Sequence, residues 1–143
     1  MPDATVRTVV DTGPLVAVLN AGDEYHGWAR EVFGRLPPPV FTCEAVLSEA
    51  QFLLQDRGGD PLAVLEWMQK QVIKLAFHAD DEIERLLQLQ RSYRNLSMDF
   101  ADACLVRMTE LHARSQVLTT DSHFRIYRRN RRQVIPVLAP PGI

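Results

Sequence analysis

A short apolar run that ends on an acid constrains the fold of this chain more than any other feature. Residues 6–10 read Val-Arg-Thr-Val-Val, Asp11 follows, and the segment 12–14 reads Thr-Gly-Pro. Pro14 suits the first turn of a helix, because its fixed backbone dihedral angle matches that turn. A buried strand that passes through a carboxylate into a helix is typical of the carboxyl edge of a parallel sheet, where open α/β folds bind their ligands.

Strand-like and helix-like segments alternate along the rest of the 143 residues. The patterns predict further strands at 40–42, 72–77, 116–119 and 134–138, and helices at 14–20, 24–35, 43–56, 61–70, 80–94 and 98–113. This alternation favours a small, mostly parallel sheet of four or five strands that is covered on both faces, as a single domain over residues 1–143. Pro136 would sit poorly in a central strand, so we expect the last strand at an edge.

Composition sets limits on the class of protein. The formal net charge is −2, so no global basic field indicates a nucleic-acid partner. Cys43 and Cys104 lack metal-ligand spacing, and we expect buried, inert thiols in a reducing compartment. The chain does not start like a signal peptide and has no apolar run near the roughly 20 residues that cross a bilayer. These observations predict a soluble cytoplasmic protein without a membrane segment.

Four acids stand out by their positions in the predicted elements: Asp11, Glu49, Asp102 and Asp121. Asp11 and Asp121 follow strands, and helix capping is the alternative explanation for each. Glu49 lies in a helical row that otherwise faces the core, and Asp102 lies past the first turn of its predicted helix. A carboxylate on an apolar helix face is costly to bury unless it is paired or bound to a cation, so a buried salt bridge is the alternative for these two.

A fifth acid, Asp99, has a simpler structural explanation. Ser97 is expected to cap the helix that begins near residue 98, which places Asp99 in its first turn. An acid in the first turn is favoured by the helix dipole whether or not it has a chemical role.

Convergence of the four acids in one pocket favours a metal site. Two carboxylates about 4 Å apart repel by roughly 4 kcal/mol at an effective dielectric of 20. Such a cluster therefore holds a cation or has shifted pKa values. The pattern contains no His or Cys, and an all-oxygen ligand set suits Mg²⁺ or Mn²⁺ rather than Zn²⁺. Hydrolysis of a phosphodiester is the reaction class that fits these ions.

Four segments carry a resemblance to a known family: VVDTGPL at 9–15, VLSEA at 46–50, MDFADA at 98–103 and LTTDSHF at 118–124. In order and spacing they resemble the four acidic blocks of PIN-domain ribonucleases, most closely the small bacterial kind that includes VapC-type toxins. The likeness extends over about residues 6 to 138. It implies a three-layer α/β/α fold around a small, mostly parallel sheet, and Mg²⁺- or Mn²⁺-dependent endonuclease activity on RNA.

The resemblance also implies roles for individual residues. Asp11, Glu49, Asp102 and Asp121 match the catalytic acids, with Asp11 and Asp102 as metal ligands and Glu49 or Asp121 acting on the ion directly or through water. Asp99 matches a position that is only often acidic, and it ranks below the four. For a toxin-like nuclease the resemblance further implies a homodimer and a cognate antitoxin protein.

Two groups of residues near these acids are secondary candidates. The hydroxyls of Thr12 and Thr120 could orient a carboxylate or a water, although packing is the alternative. An arginine-rich segment follows Asp121 and is expected at the rim of the acidic pocket, where it would contact an RNA backbone. Its arginines are Arg125, Arg128, Arg129, Arg131 and Arg132. A solvated face, or a docking surface for an acidic partner, is the alternative for that segment.

Two other functional classes are compatible with parts of the pattern. The first is a non-catalytic RNA- or protein-binding module whose acids form a regulatory ion site. The second is a phosphoryl-transfer enzyme of the haloacid-dehalogenase type, which also begins with a strand-ending aspartate. That class expects a second acid two residues later, where this chain has Gly13, so the pattern disfavours it.

Overall fold

The computed structural model describes residues 6–143, and its central feature is a parallel sheet flanked by helices. The strands are β1 (Arg7–Val10), β2 (Val40–Thr42), β3 (Ile73–Leu75), β4 (Ser115–Leu118), β5 (Arg128–Arg129), β6 (Gln133–Val134) and β7 (Val137–Leu138). The α-helices are α1 (Thr12–Leu19), α2 (His26–Arg35), α3 (Glu44–Asp56), α4 (Leu62–Gln69), α5 (Ile83–Ser92) and α6 (Phe100–Leu111). Short 3₁₀ helices lie at Ala79–Glu82, Arg94–Leu96 and Ser122–Arg125.

The sheet is buried on both faces. Val9 and Val10 are neighbours in β1 and are both fully buried, as are Val117 and Leu118 in β4. Since successive side chains of a strand point to opposite faces, helices must cover the sheet on both sides. The chain therefore has the three-layer α/β/α arrangement with a small parallel sheet that its sequence predicts.

Strand order places a reversal at the middle of the sheet. The order is β3-β2-β1-β4-β7, and every neighbouring pair is parallel. The chain builds outwards from β1 through β2 to β3 and then returns to add β4 on the other side of β1. Helices on opposite sides of such a switch point leave a crevice at the carboxyl ends of the two central strands. Asp11 follows β1 directly and Asp121 lies three residues beyond β4, so both acids lie at this crevice.

The segment predicted as one last strand is divided in two. Residues 133–134 pair with 128–129 in a small antiparallel hairpin, while β7 joins the sheet beside β4. Pro136 lies between the two pieces and has no N–H to donate, although its carbonyl accepts a 2.9 Å hydrogen bond from the N–H of Val117. The edge position expected for the last strand is confirmed, and its continuous extent is wrong.

Two further expectations concern the rest of the chain. Cys43 and Cys104 are buried free thiols, as expected. Among residues 6–143, every helix is too short or too polar to cross a lipid bilayer.

Candidate metal centre

Asp11 lies at the first position after β1 and is buried, with 7% of its surface exposed. Its Oδ1 accepts a 2.8 Å hydrogen bond from the N–H of Thr12, so it is the N-cap of α1. Burial raises the pKa of Asp11 to about 6, although hydrogen bonds from Thr119 and Thr12 act in the opposite direction. The capping explanation is therefore correct for one oxygen of Asp11, and it does not exclude a ligand role for the other.

Thr119 holds two parts of the centre together. Its hydroxyl donates a 2.8 Å hydrogen bond to Oδ2 of Asp11, and the Oγ1 atom of this hydroxyl accepts a 2.9 Å hydrogen bond from the N–H of Asp121. Thr119 is fully buried. Thr119 is not among the residues predicted from the sequence, which include its neighbour Thr120. Strand alternation was the signal that could have identified Thr119. If the strand continues past Leu118, the side chains of Val117 and Thr119 point to one face of the sheet and that of Thr120 points to the other.

Asp102 contributes the second carboxylate from the start of α6. The N-cap of this helix is Asp99, whose Oδ1 accepts a 2.8 Å hydrogen bond from the N–H of Asp102. Two predictions are therefore wrong. Ser97 adopts a left-handed conformation with φ 52° and does not cap the helix, and Asp102 lies in the first turn rather than beyond it. Burial, followed by the nearby charge of Asp99, raises the pKa of Asp102 to about 8.

A hydrogen bond from the buried Tyr127 supports Asp102. Its hydroxyl donates a 2.8 Å hydrogen bond to Oδ2 of Asp102, and its ring is fully buried. The ring packs edge-on against Tyr93 and Phe124, with centroids 5.0 and 5.2 Å away. Burial and the neighbouring carboxylate raise the pKa of the Tyr127 hydroxyl, so this group stays protonated and donates. No sequence pattern indicates this polar contact, because residues 102 and 127 share no local spacing.

Asp121 supplies the third carboxylate. Its Oδ1 accepts a 2.9 Å hydrogen bond from the N–H of His123 and lies 3.2 Å from the Nδ1 atom of that residue. This is the capping interaction that was considered as an alternative, at the start of the 3₁₀ helix Ser122–Arg125. The hydrogen bond from the Asp121 N–H to Thr119 fixes the backbone, so the carboxylate is oriented from both directions.

Three of the predicted acids come together. Oxygen atoms of Asp11, Asp102 and Asp121 all lie within 4.8 Å of one another. Their donor set is all carboxylate, which fits a hard divalent cation that takes oxygen ligands. The raised pKa values of Asp11 and Asp102 also favour a cation site, because without a cation both carboxylates lie in an environment that disfavours their negative charge. These three residues could bind a metal ion.

Glu49 and Asp99 lie outside this group of three. Glu49 belongs to the exposed surface of α3 and not to a row that faces the core, which corrects the sequence prediction. Its Oε2 accepts a 3.2 Å hydrogen bond from the hydroxyl of Thr12, the residue that follows Asp11, so Glu49 borders the crevice. The buried residues of α3 are Val46, Ala50 and Leu54, at every fourth position, and Glu49 lies outside this row.

Gly13 and Thr120 pack tightly where β1 and β4 end. A Cβ atom added to Gly13 would collide with Oγ1 of Thr120, so the close approach of the two segments requires glycine at this position. Thr120 therefore packs against the α1 turn, which was the alternative considered for it. Thr12 behaves differently, because its hydroxyl contacts the carboxylate of Glu49.

Most of the arginine-rich segment is committed to structural contacts. The Arg125 Nε atom donates to the carbonyl of Ile143 at 2.8 Å. Arg128 donates through Nη1 to the carbonyls of residues 125, 126 and 127 at 2.9, 3.0 and 3.1 Å. These contacts fold the guanidinium groups back onto the chain.

Arg129 extends away from the acidic crevice. Its Nη1 donates to the carbonyl of Thr109 and to Oγ of Ser115, both at 3.3 Å. Ser115 begins β4, whereas Asp121 lies past the end of that strand, so Arg129 is at the opposite edge of the sheet from the acids. The prediction that the whole segment lines the rim of the pocket is wrong. The hairpin β5–β6, which the sequence did not indicate, redirects it along α6.

The fold and the clustered acids define a protein class that the family comparison identifies. A model of the PIN domain family matches residues 8–130, and the chain belongs to this family.

Among curated proteins, the chain is similar to the 23S rRNA-specific endonuclease VapC20 of Mycobacterium tuberculosis, from strains CDC 1551 / Oshkosh and ATCC 25618 / H37Rv. The identity is 44% over 55 residues, which is 38% of this chain and 42% of the relative. The aligned part thus spans less than half the length of these curated relatives.

Solved structures extend the likeness to most of the chain. The crystal structure of Mycobacterium tuberculosis VapC20, described as a Sarcin-Ricin loop cleaving toxin, superposes with a TM-score of 0.69 and 26% identity, over 77% of this chain and 86% of that one. A toxin-antitoxin complex from Klebsiella pneumoniae gives a TM-score of 0.63 over 95% of this chain and 99% of that one. At 19% identity, this second likeness concerns the fold alone.

Proposed function

We propose that this protein is a Mg²⁺- or Mn²⁺-dependent endoribonuclease of the VapC type. The observation that carries the proposal is the meeting of Asp11, Asp102 and Asp121 within 4.8 Å at the switch point of the sheet. Membership of the PIN family supports nuclease chemistry, and the name of the mycobacterial relative, a 23S rRNA-specific endonuclease, supports RNA as the substrate class.

Asp11, Asp102 and Asp121 would hold the cation, and the rest of the centre would keep them in place. When bound, the ion lowers the pKa of a water and neutralises charge on the phosphate under attack. Thr119 orients Asp11, and Tyr127 orients Asp102 by donating to one of its oxygens. Glu49 would act from the border of the crevice, where its contact with the hydroxyl of Thr12 keeps it facing the same space. Asp99 acts only through its charge and its cap of α6.

The Asp11→Asn variant tests the proposal. Asn keeps an acceptor for the N–H of Thr12, so α1 remains capped, while the negative charge is lost. Cleavage of bacterial RNA in Mg²⁺ should fall by at least about a hundredfold, as expected when one electrostatic group of an active site is removed. Glu49→Gln, which removes a carboxylate outside the group of three, should lose less activity. Addition of EDTA to the wild-type protein should abolish cleavage.

The opposite outcome has a clear meaning. If wild-type protein binds Mn²⁺ in a calorimetric titration but cleaves no RNA, the chain is a non-catalytic module with an ion site. If Asp11→Asn from an identical purification cleaves as fast as the wild type, the assignment of Asp11 as a catalytic residue is wrong.

The toxin role rests on the same relatives and on an exposed apolar surface. Phe52 of α3 and Leu62 and Leu65 of α4 are 67, 64 and 54% exposed, and α3 packs on α4. Such a cluster suits a protein partner, here a cognate antitoxin or a second copy of the chain. Expression in bacteria should arrest growth, Asp11→Asn should not, and the product of the adjacent reading frame should restore growth and copurify with the chain. Self-association is tested by sedimentation of the isolated protein, with Leu62→Glu as the disrupting variant.

A further inference from the structure

A basic groove lies between α5 and the β5–β6 hairpin, on the outer side of α6. Two adjoining cavities of about 230 and 280 Å³ form it, and they share Arg85 and Arg131 as lining residues. The first cavity is also lined by Leu89, Ser92, Tyr93 and Arg128, and the second by Arg107, Glu110 and Asn130. We propose that this groove binds the phosphate backbone of the RNA substrate outside the acidic crevice; the proposal rests on the function proposed above.

Charge balance in the groove leaves two cationic groups for a ligand. Glu110 pairs with Arg85 at 2.7 Å and with Arg107 at 3.1 Å, and Glu82 pairs with Arg107 at 2.7 Å. These two acids offset the charges of Arg85 and Arg107.

Arg128 and Arg131 have no acidic partner within the part of the chain that the structure describes. Arg128 donates only to uncharged backbone carbonyls, so its charge is not neutralised. Arg131 is exposed and makes no hydrogen bond or ion pair with any of residues 6–143.

The hairpin turn places Arg131 in a backbone conformation that long side chains rarely adopt. Arg131 has φ 70° and its neighbour Asn130 has φ 51°. A left-handed conformation is uncommon for a long side chain, and such outliers concentrate at binding sites. The N–H of Asn130 donates a 2.6 Å hydrogen bond to Oε2 of Glu110, which fixes the turn against α6. The turn that carries Arg131 is thus tied to α6, and Arg131 lines both cavities.

The groove and the acidic centre lie along the same helix. Asp102 is in the first turn of α6, whereas Glu110 lines the second cavity, about 12 Å further along the helix at 1.5 Å per residue. That distance corresponds to about three to four nucleotides at 3.4 Å per step of a helical strand. Tyr93 lines the first cavity, and its ring packs edge-on against Tyr127, which hydrogen-bonds to Asp102. A short RNA strand bound at the three acids would therefore be long enough to reach the groove.

The lining of the groove favours RNA over an acidic peptide as the occupant. An aromatic wall followed by guanidinium groups is the combination that single-stranded nucleic acids use, with bases stacked on rings and phosphates paired with arginine. An acidic peptide would need only the charge, and neither the tyrosine wall nor the link to the acidic centre.

The experiment compares RNA binding by charge-loss variants in an Asp11→Asn background, which prevents cleavage. Fluorescence anisotropy with a short fluorescein-labelled RNA hairpin is measured at several salt concentrations. Arg131→Gly removes the guanidinium and suits the positive φ, so the turn should keep its fold and thermal unfolding should be unchanged. Binding should weaken about three- to tenfold at 0.1 M salt, and the slope of log K against log salt should decrease by about 0.7–0.9, because one counterion-releasing contact is lost.

Two controls make the result specific. Arg30→Ala removes one exposed arginine from α2, far along the chain from the groove, and should leave the slope unchanged. Arg131→Lys keeps the charge and should retain most of the slope.

Three results would overturn the proposal. The first is an unchanged slope in Arg131→Gly, and the second is an equal loss in Arg30→Ala. The third is a loss confined to binding of labelled poly-glutamate, which would assign the groove to an acidic protein partner. Wild-type cleavage of RNA in Mg²⁺ is measured separately. Its absence would reject the proposed nuclease function, whereas normal cleavage with an unchanged Arg131→Gly slope would reject only the groove.

Discussion

The hydroxyl of Thr119 donates a 2.8 Å hydrogen bond to Oδ2 of Asp11, across 108 positions of the chain. Because Oγ1 of Thr119 also accepts a hydrogen bond from the N–H of Asp121, one buried hydroxyl sets the relative position of the first and last acids of the cluster. A threonine at the end of a central strand is thereby a positioning residue for a carboxylate that belongs to the neighbouring strand.

Thr119→Val tests this positioning role, because it keeps the shape of the side chain and removes the hydroxyl. The hydrogen bond from Thr119 lowers the pKa of Asp11, so its loss should raise that pKa further and disfavour the ionised ligand. Loss of such an outer contact typically lowers metal affinity about 10- to 100-fold. Calorimetric titration with Mn²⁺ measures the change. Thr119→Ser, which retains the hydroxyl, should bind like the wild type, and equal affinity of Thr119→Val and wild type would refute the role.

Metal-free protein should lose stability as pH rises. An unfolded aspartate has a pKa near 3.8, whereas folding raises the pKa of Asp11 to about 6 and that of Asp102 to about 8. Between these values the folded protein binds more protons than the unfolded chain, so the free energy of unfolding decreases from about pH 4 to about pH 8.

Thermal unfolding in EDTA at pH 5 and at pH 8 measures this dependence. Mn²⁺ binds the ionised carboxylates, so its stabilising effect should be larger at pH 8 than at pH 5. Asp102→Asn removes the group with the widest window and should flatten the pH dependence. A melting temperature in EDTA that increases from pH 5 to pH 8 would contradict the assignment.

Gly13→Ala should destabilise the junction of β1 and β4. The added methyl group would collide with Oγ1 of Thr120, and the segments must separate to admit it. Overpacking of this kind typically costs about 1–3 kcal/mol, and the shift should also reduce RNA cleavage because Asp11 and Asp121 flank the contact. In a double-mutant cycle, Thr120→Ala should recover part of the loss by removing the hydroxyl. Strictly additive effects would show that the two residues do not interact as described.

Glu110→Gln should destabilise the fold without direct effect on the metal centre. The Glu110 side chain is 1% exposed, and it accepts hydrogen bonds from Arg85, Arg107 and the N–H of Asn130. These contacts lower its pKa despite burial. Loss of one partner of a buried ion pair typically costs about 3–5 kcal/mol, since unpaired charge is left behind.

The matched control is Glu31→Gln. Glu31 pairs with Arg35 at 3.8 Å on an exposed face of α2, where an ion pair contributes at most about 1 kcal/mol. Denaturant unfolding of both variants measures the contrast, and equal losses would exclude the buried network as the cause. Mn²⁺ affinity should be retained in each.

The strand-ending acids were predictable because their signal is local. Asp11 and Asp121 each follow a short apolar run, and parallel strands bring their carboxyl ends to one edge. Asp102 was predicted for the wrong reason, since it lies in the first turn of α6 with Asp99 as its cap. The resemblance to PIN-domain ribonucleases, confirmed by the family match, carried more weight there than helical periodicity.

Contacts that depend on tertiary structure were not predictable from the sequence. Thr119 and Tyr127 meet their carboxylates across 108 and 25 positions, and no spacing rule connects them. The turn of the β5–β6 hairpin contains no glycine, although Asn130 and Arg131 adopt positive φ angles that glycine usually supplies. The usual sequence signal for a hairpin is therefore missing. For that reason the arginines were expected at the acidic crevice rather than along α6.

Placement of the acidic centre between β1 and β4 has a consequence for synthesis of the protein. Asp11 and its hydrogen-bond donor at position 119 are 108 positions apart, and the third acid follows at position 121. A nascent polypeptide therefore carries no assembled centre until β4 has been synthesised. Whatever chemistry the three acids perform is withheld until β4 has taken its place beside β1.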